Sequence, residues 1–344
     1  MKVIIIADDL TGALDSSVAF AQRGLRTICA LTIDKLPEAL SSGADVVAVS
    51  TGSREVSRHI AVERAQRVKG MLVKAPPDQQ CIWFKKIDSR LKGHIRAEVS
   101  VLRQNDQEVF VMPAIPKLGR FVNDGVLYGA GVQVPINVSE RVGLADAMVV
   151  DSRTDADLDI AIEKLPRDAL VVGAAGVGAA LARLIKPDAG LQSLPDLNLP
   201  ALLVIGSTDP ITLAQLTSFR VTCAPNGQVP VHGVRSVDGV NIVQMVPGDE
   251  SISGEMASKR FSEGVSRWID DIKPRILFAT GGETSAAVLE QLGCGLLEVK
   301  GEVLPGLPCS TALDGRPGLK VVTKSGGFGP TETLVNFIDI LVKK

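Results

Sequence analysis

Short apolar runs alternate with segments of helical periodicity along the chain, and this alternation is typical of a parallel sheet covered by helices. In the first half, the apolar runs predict strands at residues 3–7, 27–31, 46–50, 81–85, 109–112, 147–150 and 170–173. The segments between them predict helices at residues 11–23, 55–74, 95–103, 155–164 and 176–185. The pattern therefore predicts an α/β fold in this half of the chain.

The periodicity lapses between Lys186 and Pro200, where the chain carries three prolines and no sustained pattern. We interpret residues 188–200 as a linker between an N-terminal domain, 1–187, and a C-terminal domain, 201–344. In the second domain, strands are predicted at residues 201–205, 242–246, 276–280 and 320–324, and helices at 210–219, 254–271, 284–292 and 331–341. The expected architecture is two domains, each a largely parallel sheet flanked by helices.

Composition agrees with this architecture and excludes several classes of partner. At 344 residues the chain is long for one compact core, and its hydrophobic content of 45% with only 3% aromatic residues suits sheets built from Val, Ile, Leu and Ala. A formal net charge of −2 argues against nucleic acid or an anionic membrane as a partner. The five cysteines lack paired spacing, which favours a cytoplasmic location, and no apolar segment approaches the roughly 20 residues that span a bilayer.

Four loops of the second domain are predicted to share one design, in which an apolar strand ends in small residues and a helix begins. They are Gly206-Ser207-Thr208, Gly281-Gly282-Glu283-Thr284, Pro305-Gly306-Leu307-Pro308 and Gly326-Gly327-Phe328-Gly329. Glycine lets main-chain N–H groups close around an anion, and Lys324 would supply the counter-charge for phosphate. One such loop alone is more often a plain turn. Their recurrence favours convergence on one nucleotide at the carboxyl ends of the strands.

Familiar nucleotide and hydrolase motifs are absent from the sequence. No GxxxxGK[ST] segment occurs, so an ordinary P-loop is excluded, and no GxSxG elbow supports a hydrolase. The segment Gly176-Val177-Gly178 lacks the third glycine of a dinucleotide fingerprint, because Leu181 stands there. We interpret it as the start of a closely packed helix, which makes a nicotinamide-dependent enzyme a poor fit.

In the first domain, polar residues cluster directly after predicted strands. Asp8 and Asp9 follow the first strand, Thr11 is expected to cap the first helix, and Gly24 is expected to end it. Two further sets follow later strands: Lys85, Lys86, Asp88, Ser89, Arg90 and Lys92, and then Pro113, Lys117, Gly119 and Arg120. Carboxylates interleaved with cations suit a small anionic substrate, and an aspartate could take a proton from a hydroxyl or hold Mg²⁺. The alternative interpretation is a set of solvated loops with surface ion pairs.

Taken together, the motifs resemble those of the four-carbon acid sugar kinases, which phosphorylate threonate, erythronate or 3-oxo-tetronate with ATP. The matching segments are Ala-Asp-Asp-Leu-Thr-Gly-Ala at 7–13, Lys-Lys-Ile-Asp-Ser at 85–89 with Gly93, Pro-Ala-Ile-Pro at 113–116 with Gly119 and Arg120, Gly-Ser at 206–207, Gly-Gly-Glu-Thr at 281–284, Pro-Gly-Leu-Pro at 305–308, and Lys-Ser-Gly-Gly-Phe-Gly at 324–329. These segments span nearly the whole chain in the family's order. The chain departs from the family at Leu14, where Asn is usual, and at 90–94, where Thr-Leu-Arg-Gly-Asn is usual.

The resemblance implies that the first domain holds the acid sugar and the second holds ATP, with the active site in the cleft between them. It implies ATP contacts at Ser207, at residues 281–284 and near Gly327. It implies acid-sugar contacts near Asp8, Asp9, Asp88, Arg90 and Arg120.

The resulting hypothesis is a kinase that uses ATP and Mg²⁺ to phosphorylate a hydroxyl of a small sugar acid. The proposed catalytic residues are Asp8 and Asp9, and the substrate-binding residues are Asp88, Ser89, Arg90, Lys117 and Arg120. The nucleotide-binding residues are Ser207, Thr208, Gly281, Gly282, Glu283, Thr284, Gly306, Lys324, Gly326 and Gly327. The metal ligands are left open, and a homodimer is the default assembly. The rival hypothesis is a non-catalytic protein that senses an acid sugar or a nucleotide.

Overall fold

The computed structural model describes residues 2–74, 81–104, 107–190, 192–231 and 238–343. The chain divides into two compact units, Met1–Gln192 and Ser193–Lys344. The division lies inside the segment 188–200, and each unit has its own set of strands and helices.

The first unit is built on a parallel sheet in the order β2, β3, β1, β4, β10, β5, β9. Its strands are β1 (Lys2–Ala7), β2 (Thr27–Ala30), β3 (Val46–Ser50), β4 (Cys81–Lys86), β5 (Val109–Met112), β6 (Arg120–Asn123), β7 (Val126–Gly129), β8 (Ile136–Asn137), β9 (Met148–Val149) and β10 (Leu170–Gly173). Its helices are α1 (Leu10–Gln22), α2 (Leu36–Ser41), α3 (Arg58–Lys74), α4 (Ile95–Leu102), α5 (Val138–Val142), α6 (Asp155–Glu163) and α7 (Ala175–Ile185). The seven strands predicted from the apolar runs are present, and the predicted α/β class is confirmed.

The start of α1 differs from the prediction. The N-cap is Asp9, whose carboxylate accepts a hydrogen bond from Gly12 N at 2.9 Å, and Thr11 lies inside the helix and donates to Asp9 Oδ2 at 2.7 Å. The prediction of Thr11 as the cap was wrong because aspartate is an equally good cap and stands at the position that the strand end dictates. Gly24 does end the helix, with φ +72° and a hydrogen bond from its N–H to Ala21 O.

A small antiparallel sheet of β6, β7 and β8 was missed by the sequence analysis. Its strands are short, and the turn between β6 and β7 holds Asp124 and Gly125 with positive φ angles. The backbone N–H groups of these two residues donate to the carboxylate of Asp151. Strands this short give little alternation from which to predict them.

The interpretation of Gly176 and Gly178 as packing glycines is confirmed. A Cβ on Gly176 would lie 2.4 Å from Ala114 O, and one on Gly178 would lie 2.5 Å from Ser16 O. Helix α7 therefore packs directly on the backbone of α1 and of the segment after β5.

The strands of the second unit have the order β12, β13, β11, β14, β17, β16, β15. The first five pair in parallel, and β16 pairs antiparallel with both of its neighbours, β17 and β15. Its strands are β11 (Ala201–Ile205), β12 (Thr222–Pro225), β13 (Val240–Val246), β14 (Ile276–Thr280), β15 (Leu296–Glu302), β16 (Pro308–Ala312) and β17 (Lys320–Lys324). Its helices are α8 (Pro210–Gln215), α9 (Gly254–Ile272), α10 (Gly282–Gln291) and α11 (Thr333–Val342). Phe278 and Phe337 pack in its core with ring centroids 4.9 Å apart.

The segment 305–308 does not lead from a strand into a helix, so that part of the loop prediction was wrong. It joins β15 to β16, which are antiparallel neighbours, and Gly306 has φ +77° in the turn. Two prolines and a glycine between apolar residues suit a hairpin turn as well as a strand-to-helix loop, so the local sequence does not distinguish them.

No helix in the described ranges is long and apolar enough to cross a membrane.

Candidate functional site

The carboxyl ends of β1 and β3 bring three charged side chains of the first unit together. The Arg54 guanidinium donates to both predicted catalytic aspartates. Its Nε and Nη2 lie 2.9 and 2.7 Å from Asp8 Oδ2 and Oδ1, and its Nη1 and Nη2 lie 2.8 and 2.9 Å from Asp9 Oδ2 and Oδ1. Paired hydrogen bonds between arginine and carboxylate are strong and directional. Asp8 and Asp9 are therefore held beside one shared arginine.

Arg54 is a site residue that the sequence analysis missed. The backbone after β3 places it: Ser53 N and Arg54 N donate to Asp8 O at 2.8 and 3.3 Å, and Thr51 N donates to Ala7 O at 2.8 Å. The available signal was its position just after a buried strand, at the same sheet edge as Asp8.

The charges around Asp8 lower the pKa of its carboxyl group. Burial acts to raise the pKa of Asp8, but Arg54, with Lys85 and Lys86, outweighs it, and the pKa lies below its ordinary value. Burial acts to lower the pKa of Arg54, but Asp9 and Asp8 outweigh it and raise that pKa. Asp8 is therefore an ionised, weakly basic carboxylate.

A buried polar network supports the segment that carries Arg54. The Nζ of Lys85 lies 3.1 Å from Glu98 Oε1, and both side chains are almost fully buried. Ser53 Oγ donates to Glu98 Oε1 at 2.5 Å, and Thr51 Oγ1 lies 2.7 Å from Ser53 Oγ. The network ties β4 and α4 to the segment after β3.

Lys86 is a nearly buried cation of the first unit whose charge acts on Asp8 and Asp15. Only 5% of the residue is exposed, and it makes no hydrogen bond or ion pair within the described part of the chain. Its Nζ lies 2.8 Å from where a Cβ on Gly12 would be, and Asp9 Oδ1 lies 2.5 Å from the same point. About one helical turn beyond Gly12, burial raises the pKa of Asp15 while Lys86 opposes that rise. The side chain is nearly buried, but its ammonium end is not closed off from solvent, so it is available to an anionic ligand.

The second predicted cluster of the first unit also comes together. Arg120 Nη1 donates to Ser89 Oγ, and Arg120 Nε donates to Ala130 O at 2.9 Å. Burial lowers the pKa of Arg120, the neighbouring charge of Arg90 adds to that lowering, and Asp88 opposes it. These four predicted substrate-binding residues therefore lie in one region.

Asp88 also connects this region to the aspartate pair, because its charge contributes to the raised pKa of Arg54. Lys117 stands apart: it is exposed before β6 and has no hydrogen bond or ion pair to any described residue. The structure thus gathers the predicted substrate residues with the exception of Lys117.

In the second unit, three glycine loops meet at the carboxyl ends of adjacent strands. Ile205, Thr280 and Lys324 stand side by side as the last residues of β11, β14 and β17. A Cβ on Gly206 would lie 1.8 Å from Thr284 Oγ1, and one on Gly326 would lie 2.2 Å from Ser207 Oγ. The adjoining predicted residues are Thr208, Gly281, Gly282, Glu283 and Gly327. The loops are therefore in direct contact.

Gly306 reaches this region through an aromatic ring. A Cβ on Gly306 would lie 1.8 Å from Cε1 of Phe328, which belongs to the loop after β17. The hairpin turn thus packs against the glycine loop.

Free backbone donors line the loop after β17. The N–H groups of Gly326, Gly327, Phe328 and Gly329 have no hydrogen-bond partner among the described residues. The carbonyls of this stretch are mostly occupied by side-chain donors. Successive unpaired N–H groups form a concave site for an anion, and the N-terminus of α10 adds a favourable helix dipole beside it.

Lys324 lies beneath this loop. It is fully buried, and its Nζ donates to Thr212 Oγ1 at 3.0 Å, to Ser325 O at 3.0 Å and to Gly326 O at 3.2 Å. Burial lowers the pKa of Lys324 to about 8, although Asp209 acts to raise it.

This lowered pKa makes stability depend on pH. An unfolded Lys324 with the ordinary pKa of 10.5 binds more protons than the folded residue between pH 8 and 10.5. Below about pH 8, the cost of burying the charged Lys324 ammonium therefore destabilises the folded state in full. This cost disappears as the pH rises and Lys324 loses its proton. We expect the unfolding free energy of the wild type relative to Lys324→Met to rise from pH 8 to about pH 10, by on the order of 3 kcal/mol at most.

Urea unfolding of both proteins across this pH range measures the effect, with Lys320→Met as the matched lysine control. A difference between wild type and Lys324→Met that stays constant with pH would contradict the lowered pKa.

Asp209 is the carboxylate beside the glycine loop. Its Oδ1 accepts from Ile211 N at 2.9 Å and so caps α8, and its Oδ2 lies 2.9 Å from where a Cβ on Gly327 would be. Within the described ranges, no group of three or more His, Cys, Asp or Glu side chains is arranged to hold a metal ion. Mg²⁺ commonly uses one or two carboxylates with phosphate oxygens and water, and Asp209 Oδ2 fits such a role.

A surface cavity of about 700 Å³ in the second unit lies away from these loops, near the start of β14 and β17. Four cationic residues line it: Lys273, Arg275, Arg316 and Lys320. The glycine loops are at the opposite ends of the same strands, so this cavity is separate from them.

Comparison with known proteins places both units in described domain families. A model described as a sugar-binding N-terminal domain matches residues 3–143, and one described as a nucleotide-binding C-terminal domain matches residues 235–334. A D-threonate kinase of Bordetella bronchiseptica is 29% identical over 96% of this chain and 95% of its own length. A 3-oxo-tetronate kinase of Burkholderia multivorans is 25% identical over 95% of this chain and 94% of its own length.

The fold is shared with a solved Haemophilus influenzae protein of the DUF1537 family. The TM-score is 0.70 at 20% identity, over 96% of this chain and 97% of that one.

Proposed function

Because the chain belongs to the four-carbon acid sugar kinase family and is a phosphotransferase with an alcohol group as acceptor, we propose that it transfers the γ-phosphoryl of ATP to a small sugar acid. The proposed acids are threonate, erythronate or 3-oxo-tetronate, with the terminal hydroxyl as acceptor. ATP is proposed as the donor because the N–H groups at 326–329 have no hydrogen-bond partner among the described residues and lie beside the N-terminus of α10.

The first unit is proposed to hold the acid. A sugar acid carries one carboxylate, and the cations that could receive it are Arg90, Arg120 and Lys86. Arg54 is committed to Asp8 and Asp9, whereas Lys86 has no partner among the described residues and is nearly buried. A carboxylate next to Lys86 would form a charge-assisted hydrogen bond with its ammonium group. We therefore add Lys86 to the predicted substrate-binding residues.

Asp9 is proposed to orient the attacking hydroxyl. The side chain of Asp8 is 2% exposed and that of Asp9 is 17% exposed, so Asp9 is the more accessible of the pair. Phosphoryl transfer requires positioning and charge stabilisation more than strong basicity, so a carboxylate paired with arginine is adequate. Asp8 would hold Arg54 in place and keep the site's charges balanced.

Mg²⁺ is proposed as the metal, with Asp209 Oδ2 as the candidate protein ligand. When bound, the ion would neutralise charge on the phosphates. The N–H groups of the glycine loop would orient the same phosphates, since they are fixed donors in a defined arrangement.

The predicted cleft between the domains, the homodimer and the cytoplasmic location stay predictions.

The test is ADP release by the purified protein with Mg²⁺-ATP against a panel of C3 to C6 sugar acids. Asp9→Asn is the informative variant, because asparagine caps a helix as well as aspartate does and removes the charge, although its NH2 group replaces one oxygen that accepts from Arg54. We expect turnover with at least one acid and a fall in kcat of about 10²-fold to 10⁴-fold in Asp9→Asn. Asp188→Asn, at an exposed position, is the matched control and should retain the wild-type rate.

Failure to release ADP above a no-acid blank, in protein that binds ATP, would overturn the kinase proposal and favour a sensor. Equal rates for Asp9→Asn and wild type would remove Asp9 from the mechanism.

A further inference from the structure

The glycine loop after β17 is held from below by three buried polar side chains. Thr212, Gln215 and Lys324 are each at most 1% exposed. Thr212 and Gln215 lie on one face of α8, three residues apart, and Lys324 ends β17. The sequence motifs predicted nucleotide binding by Lys324, but they predicted no supporting role beneath the loop for any of the three.

Their hydrogen bonds converge on the loop carbonyls. Thr212 Oγ1 donates to Gly326 O at 2.6 Å, and Lys324 Nζ donates to Ser325 O and Gly326 O at 3.0 and 3.2 Å. Gln215 Nε2 lies 3.1, 3.2 and 2.8 Å from three further carbonyls, those of Phe328, Gly329 and Pro330. The carbonyls are therefore drawn to one side of the loop.

The arrangement leaves Gln215 imperfectly satisfied. Its Oε1 is buried and has no hydrogen-bond partner in the described structure, which costs stability. The side chain leaves its own oxygen without a partner while its two N–H hydrogens are shared among three consecutive carbonyls, so its position serves the loop.

We propose that Thr212, Gln215 and Lys324 form a clamp, the α8 clamp, which draws the loop carbonyls inward and so presents the N–H groups of 326–329 to the phosphates of a bound nucleotide. This inference rests on the proposed function. The three side chains are positioning residues, and Lys324 acts from beneath the loop and not as a direct phosphate ligand. A pre-arranged set of donors binds phosphate without the cost of ordering the glycines at the moment of binding.

The test compares the affinities of the full-length protein for ADP and for adenosine by titration calorimetry. The ratio of the two affinities isolates the contribution of the phosphates. Thr212→Val keeps the shape and removes the hydroxyl, and Thr217→Val on the neighbouring exposed turn is the matched control. We expect Thr212→Val to weaken ADP about tenfold or more, with adenosine affinity and the Thr217→Val protein unchanged.

Thr212→Ser retains the hydroxyl and should restore ADP affinity, also if Thr212→Val proves hard to fold. Gln215→Leu should lower the ADP to adenosine ratio as Thr212→Val does, and Lys324→Arg should retain more ADP affinity than Lys324→Met.

Unchanged ADP affinity in Thr212→Val and Gln215→Leu, with loss only in Lys324→Met, would overturn the clamp and make Lys324 a direct phosphate ligand. A lower melting temperature with an unchanged ADP to adenosine ratio would also overturn it, because that result describes a purely structural role. Absence of ADP binding by the wild type would overturn the nucleotide site itself, and the clamp with it. Failure of the clamp alone leaves ADP binding by the wild type intact, so the two failures are distinguishable.

Discussion

Replacing Arg54 with methionine should lower kcat/KM by about 10²-fold or more and destabilise the protein. The guanidinium makes four hydrogen bonds to Asp8 and Asp9. Without it, two neighbouring carboxylates would repel each other, and the buried Asp8 would lose its main compensating charge. Removing one partner of a buried ion pair costs about 3 to 5 kcal/mol, and small displacements of catalytic groups cost about 10²-fold in rate.

Chemical denaturation and ADP-release kinetics measure the two effects. Arg67→Met removes an arginine from an exposed ion pair with Asp34 in the same unit, and it should change neither quantity appreciably. Arg54→Lys retains a positive charge but loses the planar guanidinium group. We therefore expect it to recover only part of the stability and turnover that Arg54→Met loses. An Arg54→Met protein with wild-type stability and turnover would show that the aspartate pair does not depend on this arginine.

Replacing Gly206 with alanine should abolish nucleotide binding. The new Cβ would lie 1.8 Å from Thr284 Oγ1, 2.4 Å from its Cβ and 2.5 Å from its Cγ2. Thr284 is buried in the first turn of α10, so the helix or the loop must move. Overpacking of this kind costs about 1 to 3 kcal/mol and would separate the loops whose N–H groups are proposed to bind the phosphates.

Titration with ADP and thermal unfolding measure this change. Gly254→Ala, where a Cβ would meet no atom within 4 Å, is the control in the same unit and should leave ADP affinity intact. The double variant Gly206→Ala with Thr284→Gly should recover part of the stability, because it removes all three colliding atoms, while glycine inside α10 costs about 1 kcal/mol. A Gly206→Ala protein that binds ADP as the wild type does would place the nucleotide away from this loop.

Local patterns were sufficient for the elements that surround both clusters. Buried strands in a parallel sheet are continuous apolar runs, so β1, β3, β14 and β17 were predicted close to their observed bounds. Boundaries were less accurate where caps compete: α3 begins at Arg58 and not at residue 55, and α10 begins at Gly282 and not at residue 284. The predicted glycine loops at 206–208, 281–284 and 326–329 follow from the same strands.

The sequence by itself thus determined the α/β class, the sheet edges at which polar and glycine residues gather, and the family motifs, because these depend on neighbouring residues. Only the tertiary structure decided which side chains contact each other within the two clusters. Arg54 meets Asp8 across 46 positions and Thr212 meets Gly326 across 114, and no local periodicity encodes such pairings. The same holds for Lys86, whose side chain is nearly buried beside Gly12 in the folded chain. Hydrogen bonds and buried charges over such separations depend on how strands are ordered in the sheet, and that order is a property of the folded chain.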